Sequence, residues 1–296
     1  VFLPLHYRIL KNYIREHILQ KASVTILHSN ILFPCGIVGH RLASHFGFKH
    51  VLTEHWSKLR HFFKTNWYRR QGYRTLEQAA AVTCVSGHLA DTVKDLCPAA
   101  RIMVIPNVVD QRIFHYREHE QRPDAFSFLA VAHWNPPKHP ALFIEALQQL
   151  ATEQPGLQFR LRMVGTGPLL DAIKQQSLNF PVEYTDALTA TELAQALNRT
   201  HAFLHGSDYE TFSVVIVEAL SCGAPVLVSD VGIARQVIHD NNGYICQHTV
   251  SDWKEHILKV MSNKYNRKEI AAEIEGRFGP ESIGKQFQEL YRAINS

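Results

Sequence analysis

The sequence has 296 residues, of which 46% are hydrophobic and 20% charged, enough apolar material for one large core or two ordinary ones. No apolar run approaches the roughly 18 uncharged residues of a membrane-spanning helix, and the start lacks a signal-peptide pattern. Five scattered cysteines without a CxxC pair indicate neither a disulfide framework nor a zinc ribbon, so a cytoplasmic protein is expected.

The formal net charge of +4 is unevenly distributed along the chain. Residues 1–123 contain 17 Lys/Arg and 8 Asp/Glu, whereas residues 124–296 contain 14 and 19. This asymmetry favours two domains, with the basic one facing a phosphate-rich surface or an acidic substrate. A chance distribution of solvent-exposed charges between the two halves would also give these counts.

In the first half, short apolar runs alternate with amphipathic stretches, as in βαβ units around a parallel sheet. The chain opens on the helix-like segment Pro4–Lys21, whereas a doubly wound domain usually opens with a strand and a glycine-rich turn. We therefore expect a first domain that is incomplete at its start. The predicted strands are Val24–His28, His50–Thr53, Val82–Val85 and Ile102–Ile105, and the predicted helices lie around Gly36–Phe46, Tyr68–Ala80 and His88–Leu96.

The second half repeats the α/β pattern, so the predicted fold class is α/β with two Rossmann-like doubly wound domains. Its predicted strands are Phe126–Ala132, Phe159–Val164, Val182–Tyr184, Ala202–Leu204, Pro225–Ser229 and Tyr244–Cys246. Its predicted helices are Ala141–Thr152, Leu169–Leu178, Ala190–Asn198 and Val214–Ser221.

The polar stretch Tyr116–Pro123 is predicted to be the linker between the two domains. The expected division is a first Rossmann-like domain over residues 1–122, a second over 123–280, and a final helix over 281–296. That helix is expected to pack back on the first domain. Its apolar positions recur at helical spacing, at Ile283, Phe287, Leu290, Tyr291 and Ile294.

The stretch Leu204–Asp230 has the most informative pattern: a strand, a polar turn, a helix and a buried strand. Ser213 is predicted to cap the helix, whose first backbone N–H groups would face a phosphate. Glu210 in the turn and Glu218 in the helix can bracket one ligand, and ionised carboxylates suit sugar hydroxyls. Two glutamates at this spacing would otherwise indicate only a solvated face.

Glu210 to Glu218, within ETFSVVIVEALSCGAPVL, resembles the Glu-x7-Glu donor motif of GT-B-fold retaining glycosyltransferases of group 1, family 4. Other stretches resemble the same family in the expected order, so the similarity covers nearly the whole chain. These stretches are ILHSN (26–30), TEHWS (53–57), TCVSGHLAD (83–91), VIPNVVD (104–110), FLAVAHWNPPKH (128–139) and MVGTGP (163–168).

The resemblance implies that Glu218 holds the donor ribose, Glu210 contacts the transferred sugar and Lys138 neutralises the diphosphate. It implies catalytic roles for Glu210, Lys138 and His55. The donor-binding residues that it implies are Glu218, Lys138, His133, Gly165, Gly167, Thr211, Phe212, Ser213 and Leu188. The acceptor-side residues that it implies are His28, Asn30, His55 and Ser86.

Several positions depart from the family's pattern. His133 replaces an arginine, so phosphate binding is expected to be weaker or to depend on pH. Asn30 stands where a histidine is common, and an amide cannot act as an acid or base. After Asp230, Ile233 replaces a glycine and Gln236 a glutamate. Gly165 and Gly167 permit close backbone approach, although a plain tight turn would also explain them.

No metal or other cofactor is expected, because the histidines form no HExxH or Cys/His spacing and no Asp-x-Asp is present. His201 and His205 flank a strand and are interpreted as structural. The nucleotide sugar itself is then the only small-molecule partner required, as a co-substrate.

The segment Lys58–Arg74 contains six Lys/Arg, five aromatic residues and no acid. This composition suits anionic lipid headgroups, and a mobile loop over the acceptor cleft is an equal alternative. Nucleic acid is not expected as a partner, because no recognition motif lies beside this segment. The predicted location is the cytoplasm, with contact at the inner face of the cell membrane.

The resemblance implies a metal-independent retaining hexosyltransferase of cell-surface polysaccharide biosynthesis, with its site between the domains. Its acceptor would be a glycan or a lipid-linked glycan. A nucleotide-sugar epimerase of the same fold and a non-catalytic nucleotide-sugar-binding subunit stay open as alternatives. A nicotinamide-dependent oxidoreductase is disfavoured, because no strand is followed by GxGxxG and a later acidic residue.

Overall fold

The computed structural model describes residues 3–296 and divides into two compact units. Unit 1 comprises the chain up to Asn107 together with Ile283–Ser296, and unit 2 comprises Val108–Ser282. Each unit contains one sheet whose paired strands all run parallel. The prediction of an α/β protein with two Rossmann-like domains is confirmed.

Unit 1 has a four-stranded sheet in the order β1-β2-β3-β4. Its strands are β1 (Ile26–Asn30), β2 (Lys49–Glu54), β3 (Ala81–Cys84) and β4 (Ile102–Val104). Its helices are α1 (Leu3–Tyr13), α2 (Ile37–Phe46), α3 (Leu59–Phe62), α4 (Asn66–Gln78) and α5 (Gly87–Leu96), with π-helical turns at Ile14–Ile18 and Leu32–Gly36.

The last helix, α13 (Pro280–Asn295), supplies part of the core of unit 1. Its inward positions pack against residues of β1, β2 and β3, including Val51 and Ala81. They are the five apolar positions whose helical spacing is visible in the sequence: Ile283, Phe287, Leu290, Tyr291 and Ile294. An amphipathic helix gains most of its stability from burying such a stripe.

Unit 2 has a six-stranded sheet in the order β10-β9-β8-β5-β6-β7. Its strands are β5 (Phe126–Val131), β6 (Phe159–Val164), β7 (Val182–Thr185), β8 (Ala202–His205), β9 (Val226–Ser229) and β10 (Gly243–Cys246). Its helices are α6 (Ala141–Glu153), α7 (Pro168–Lys174), α8 (Ala190–Arg199), α9 (Val214–Ser221), α10 (Ala234–Val237), α11 (Val250–Ser262) and α12 (Arg267–Phe278).

The strand order of unit 2 reverses direction at the neighbouring central strands β5 and β8. The loops that follow β5 and β8 therefore lead in opposite directions and leave a crevice between them at the carboxyl edge of the sheet. In open α/β sheets, ligands bind at this switch point. Lys138 follows β5 and Glu210 follows β8, so the topology brings two predicted site residues to the same place.

The predicted linker Tyr116–Pro123 is hydrogen-bonded into unit 2, and the compact units divide before it. The Arg117 amide donates to the Asn198 side chain at 2.8 Å, and Arg199 donates to Glu120 at 2.7 Å. These bonds join the segment to the end of α8. Its high polarity therefore reflects surface pairing within unit 2.

The predicted strands all form, with ends that shift by a few residues. The largest shift among the first-half strands is at β1, which was predicted as Val24–His28 and forms over Ile26–Asn30. The predicted helix Leu169–Leu178 ends at Lys174. Among residues 3–296, no helix is both long and apolar enough to cross a membrane.

Candidate active site

Two loops at the switch point of unit 2 are joined by backbone hydrogen bonds. Lys138 and Ser207 form an antiparallel bridge. On either side of it, the His139 amide donates to the Gly206 carbonyl at 3.0 Å, and the Asp208 amide donates to the Pro137 carbonyl at 2.8 Å. The backbone around Lys138 is therefore fixed relative to the loop that carries Glu210.

Lys138, Glu210 and His205 form a connected polar network. The Lys138 ammonium donates to Glu210 Oε1, and His205 Nε2 lies 3.2 Å from the same oxygen. An ionised carboxylate can only accept, so Nε2 carries the hydrogen. Within the described residues, Glu210 Oε2 has no hydrogen-bond partner, so its acceptor capacity is unused.

The charge states in this network follow from burial and pairing. Burial alone would raise the pKa of Glu210, but the hydrogen bond from His205 and the Lys138 ammonium outweigh it and lower the pKa to about 2. Burial lowers the pKa of His205, so its imidazole is neutral near pH 7. The network therefore contains one ammonium and one carboxylate.

Ser213 occupies the N-cap position of α9, as predicted, but its side chain makes no capping hydrogen bond. Its backbone has φ 68° and ψ 72°, a left-handed conformation that is uncommon outside glycine. This conformation directs Oγ to His205 Nε2 at 3.1 Å, and no side-chain cap forms. Ser213 therefore helps to hold the imidazole that donates to Glu210.

Glu218 lies on α9, and its half-buried carboxylate has a different environment from that of Glu210. Burial raises its pKa to about 7. In the part of the chain that the structure describes, no hydrogen bond or ion pair reaches its carboxylate oxygens, and the bond from the Cys222 amide goes to the Glu218 backbone carbonyl. A partly desolvated carboxylate without a partner is costly to ionise, and a ligand that supplies hydroxyl donors removes that cost.

Gly165 and Gly167 follow β6 and lie against the loop after β5. Their φ angles are 120° and 139°, which side chains rarely adopt. A Cβ on Gly165 would lie 1.8 Å from the Ala132 carbonyl oxygen, and one on Gly167 would lie 2.6 Å from the Trp134 carbonyl oxygen. Close backbone approach thus accounts for both glycines.

The remaining predicted donor residues differ in exposure. His133 is exposed after β5, and Leu188 is half-buried in the loop after β7. Phe212 is buried and its ring packs edge-on against Phe278, so its side chain supports the loop from inside. Thr211, beside it, is half-buried.

In unit 1, His28 is committed to hydrogen bonds inside the fold. Its Nδ1 lies 2.6 Å from the Tyr291 hydroxyl, and its Nε2 lies 2.6 Å from Thr53 Oγ1. Thr53 continues the chain to Thr83 at 2.6 Å. Burial first, and then the nearby charge of His55, lower the pKa of His28. This histidine ties α13 to the sheet.

His55 and Asn30 lie together at the carboxyl edge of the unit 1 sheet. His55 Nε2 lies 3.1 Å from Asn30 Oδ1, and Asn30 is exposed. Burial lowers the pKa of His55, although a hydrogen bond with Asn107 opposes the shift. Ser86, the fourth predicted acceptor-side residue, is fully buried and caps α5 by accepting the Leu89 amide at 3.3 Å.

Two important residues have no clear signal in the sequence. Glu54 ends β2, is fully buried, and accepts the backbone amides of Leu32, His55 and Trp56 at 2.7–2.9 Å. His205 was interpreted as structural, but it contacts Glu210. The sequence offers only two hints: Glu54 directly follows the predicted apolar strand, and His205 lies five positions before the motif residue Glu210.

The comparisons with known proteins identify the family. The model described as "Glycosyl transferases group 1" matches residues 112–277, more than half of the chain. The chain belongs to the group 1 glycosyltransferases. The model described as "Glycosyltransferase Family 4" matches residues 2–112, so the two matches together cover most of this glycosyltransferase. The resemblance inferred from the motifs is confirmed.

Similar curated proteins include an uncharacterised glycosyltransferase of Methanocaldococcus jannaschii, which is 25% identical over 99% of this chain and 82% of its own length. N-acetyl-alpha-D-glucosaminyl L-malate synthase of Bacillus anthracis is 26% identical over 73% of this chain. The match spans 60% of that relative's length, less than two thirds.

Solved structures with the same fold include sucrose-phosphate synthase of Thermosynechococcus elongatus, with a TM-score of 0.82 and 20% identity. That match covers 99% of this chain and 78% of the other. The Anabaena protein HepE in complex with UDP and glucose has a TM-score of 0.78 and 18% identity, covering 98% and 81%. These likenesses establish the GT-B fold of this glycosyltransferase.

Proposed function

We propose that this glycosyltransferase moves a hexose-type sugar from a nucleoside-diphosphate sugar to a glycan or lipid-linked acceptor, with retention at the anomeric carbon and without a metal. The observation that carries the proposal is Glu218. It is a half-buried carboxylate without a partner in the described chain, on the helix that follows the Lys138–Glu210 pair. Sugar hydroxyls donate to such a group.

In this reaction the bond between the anomeric carbon and the diphosphate oxygen breaks, and both electrons leave with the diphosphate. The acceptor hydroxyl forms its bond on the same face, and its proton passes to a departing phosphate oxygen. Lys138 stabilises the charge that develops on the leaving group. Before the donor binds, Glu210 holds the ammonium. With the donor bound, Glu210 Oε2 accepts from the transferred sugar.

We assign acceptor recognition to Asn30 and His55 of unit 1, which are half-buried or exposed, and not to His28 or Ser86, whose side chains serve the fold. His55 has a lowered pKa and is therefore neutral at pH 7, suited to hydrogen bonding with a hydroxyl.

Relatives support the substrate classes. HepE is described in complex with UDP and glucose, and with UDP-glucose. A Mycobacterium tuberculosis relative, 25% identical over 57% of this chain and 46% of its own length, is named a GDP-mannose-dependent phosphatidylinositol dimannoside mannosyltransferase. We therefore propose a nucleotide-sugar donor and a lipid-linked acceptor for this chain, and, as a further part of the proposal, we place the reaction at the cytoplasmic face of a membrane where polysaccharide is built.

Only some of the side chains in the segment Lys58–Arg74 are exposed and therefore available for the proposed membrane contact. Three of its aromatic residues, Phe62, Phe63 and Tyr68, pack around Phe33. Trp67 and Tyr73 are exposed, and most of the basic side chains beside them are exposed as well. Replacing Trp67 by Ala should reduce cosedimentation with phosphatidylglycerol vesicles several-fold. Equal sedimentation of wild type and variant would contradict membrane contact.

The donor proposal is tested by calorimetric titration with UDP, GDP and ADP. Replacing Glu218 by Ala should weaken binding of the preferred nucleotide by about a hundredfold, since a site built for hydroxyls loses its acceptor. Glu145→Ala, which removes an exposed helix carboxylate elsewhere in unit 2, is the matched control and should bind normally. Unchanged affinity in Glu218→Ala would exclude the ribose role.

Incubation of the wild-type protein with nucleotide sugars and a lipid extract tests the reaction. Nucleotide release that requires the extract supports transfer. Isomerised sugar without an acceptor would identify an epimerase, and saturable binding without turnover would identify a binding subunit.

A further inference from the structure

Three loops of unit 2 bring two imidazoles and one carboxylate together beside the switch point. His139 follows β5, Asp208 follows β8 and His248 follows β10. His139 Nδ1 lies 2.9 Å from Asp208 Oδ1, and His248 Nδ1 lies 3.3 Å from the same oxygen. The three potential ligand atoms all lie within 4.8 Å of one another.

These distances suit a shared metal ion. Two ligands of a divalent ion at about 2.1 Å, separated by roughly tetrahedral or right angles, lie about 3.0–3.4 Å apart. Both nitrogen–oxygen distances in the cluster are close to that range. The imidazoles are partly exposed, so small rotations can bring the two nitrogens to the same separation.

The backbone positions of the three residues are fixed independently of any ion. The His139 and Asp208 amides take part in the bonds that join the β5 and β8 loops. His248 lies between Gln247, whose amide donates to Asp252 at 2.7 Å, and Thr249, which caps α11. A metal therefore meets ligands that are already positioned, which raises its affinity.

We propose that His139, Asp208 and His248 form a binding site for a zinc-type divalent cation, with solvent completing its coordination. Two imidazoles and one carboxylate favour Zn²⁺, Co²⁺ or Ni²⁺ over Mg²⁺ or Ca²⁺, which prefer oxygen ligands. The site uses none of the side chains assigned to the diphosphate or the sugar. Transfer itself remains metal-independent, and the proposal stands whether or not the proposed function holds.

The position of the site gives it a structural role. His139 follows Lys138 directly, and Asp208 precedes Glu210 by two residues. A bound ion would join the β5 and β8 loops to the loop after β10. We expect the ion to stabilise these loops and to raise the thermal midpoint of the folded protein.

The test uses untagged protein, stripped with chelator and titrated calorimetrically with ZnCl₂. One equivalent should bind to the wild type. His139→Ala, Asp208→Asn and His248→Ala should each weaken that binding by at least about tenfold, since loss of a direct ligand should cost no less than loss of an outer-shell group. His119→Ala removes an exposed imidazole outside the cluster and should leave the affinity unchanged.

A second group, Cys246, Asp252 and His256, provides an internal comparison. Its Cys246 is fully buried, and its Asp252 carboxylate already accepts the Gln247 amide at 2.7 Å, so this group offers an ion fewer accessible ligand atoms. His256→Ala should therefore bind like the wild type. Binding that is lost in His256→Ala and kept in His139→Ala, or no binding to the wild type, would overturn the proposal.

Discussion

Glu54 in unit 1 and Glu218 in unit 2 are both buried enough for desolvation to raise the pKa, yet their surroundings differ. Glu54 accepts three backbone amides and joins the ends of two strands. The carboxylate of Glu218 has no such donors in the described chain. The fold satisfies the first carboxylate and leaves the second without a hydrogen-bond donor from the described chain.

The same contrast extends to the histidines of the two units. Both ring nitrogens of His28 are used to hold α13 against the sheet. His205 instead donates to a carboxylate that retains a free oxygen. A buried polar group is therefore a stronger indication of a ligand site when the protein itself leaves it incompletely hydrogen-bonded.

The largest expected effect is on turnover at the donor edge of unit 2. Replacing Lys138 by Met should lower kcat by about a thousandfold, or about 4 kcal/mol, because the leaving diphosphate loses its cation. The measurement is nucleotide release with the preferred donor and acceptor. Lys254→Met, which removes a lysine paired with Glu153 on α6, is the control. A change of less than threefold in Lys138→Met would contradict the role.

The next largest expected effect is a difference in the free energy of unfolding between a Glu54 variant and a Glu218 variant. Glu54→Ala should lower the free energy of unfolding by about 3 kcal/mol, because three backbone amides lose their acceptor. At pH 5, where its raised pKa keeps the folded Glu218 carboxyl largely protonated, Glu218→Ala should change it by less than about 1 kcal/mol, since no partner is abandoned. Urea denaturation of both variants gives the comparison. Equal losses of stability in the two variants would contradict the view that the protein supplies hydrogen bonds to the Glu54 carboxylate and none to that of Glu218.

A pH series tests the charge state of Glu218 directly. Its folded pKa of about 7 lies above the ordinary 4.5, so the folded state binds more protons between these values. Stability therefore falls as pH rises through this window, by on the order of 2 kcal/mol more in the wild type than in Glu218→Gln. Parallel pH profiles of the two proteins would show that Glu218 is not desolvated.

The smallest expected effect concerns the backbone at Ser213. Ser213→Ala and Ser213→Gly both lose the contact with His205, but only Ala keeps the left-handed strain. Gly should be more stable than Ala by about 1 kcal/mol, as measured by thermal unfolding. Equal stability would mean that the backbone relaxes on substitution. Both variants should lose some donor affinity, because His205 is held less firmly.

The local pattern of the sequence determined most of the fold. Strands such as β6, Phe159–Val164, and helices such as α9 form where apolar runs and helical spacing predict them, because these signals act over a few neighbouring residues. The resemblance of Glu210–Glu218 to the donor motif likewise identified both glutamates, and the resemblance of residues 128–139 to another segment of the family identified Lys138. The family followed from the same residues.

Only the tertiary structure decided how individual polar side chains are used. The hydrogen bond that the Leu32 amide donates to Glu54 and the bond between His28 and Tyr291 join residues far apart in sequence. The left-handed backbone at Ser213 places its hydroxyl against His205 and not at the start of the helix. The cluster of His139, Asp208 and His248 exists only because three parallel strands end at one edge. The spacing of residues along the sequence cannot predict such contacts, because hydrogen bonding and desolvation depend on neighbours in space.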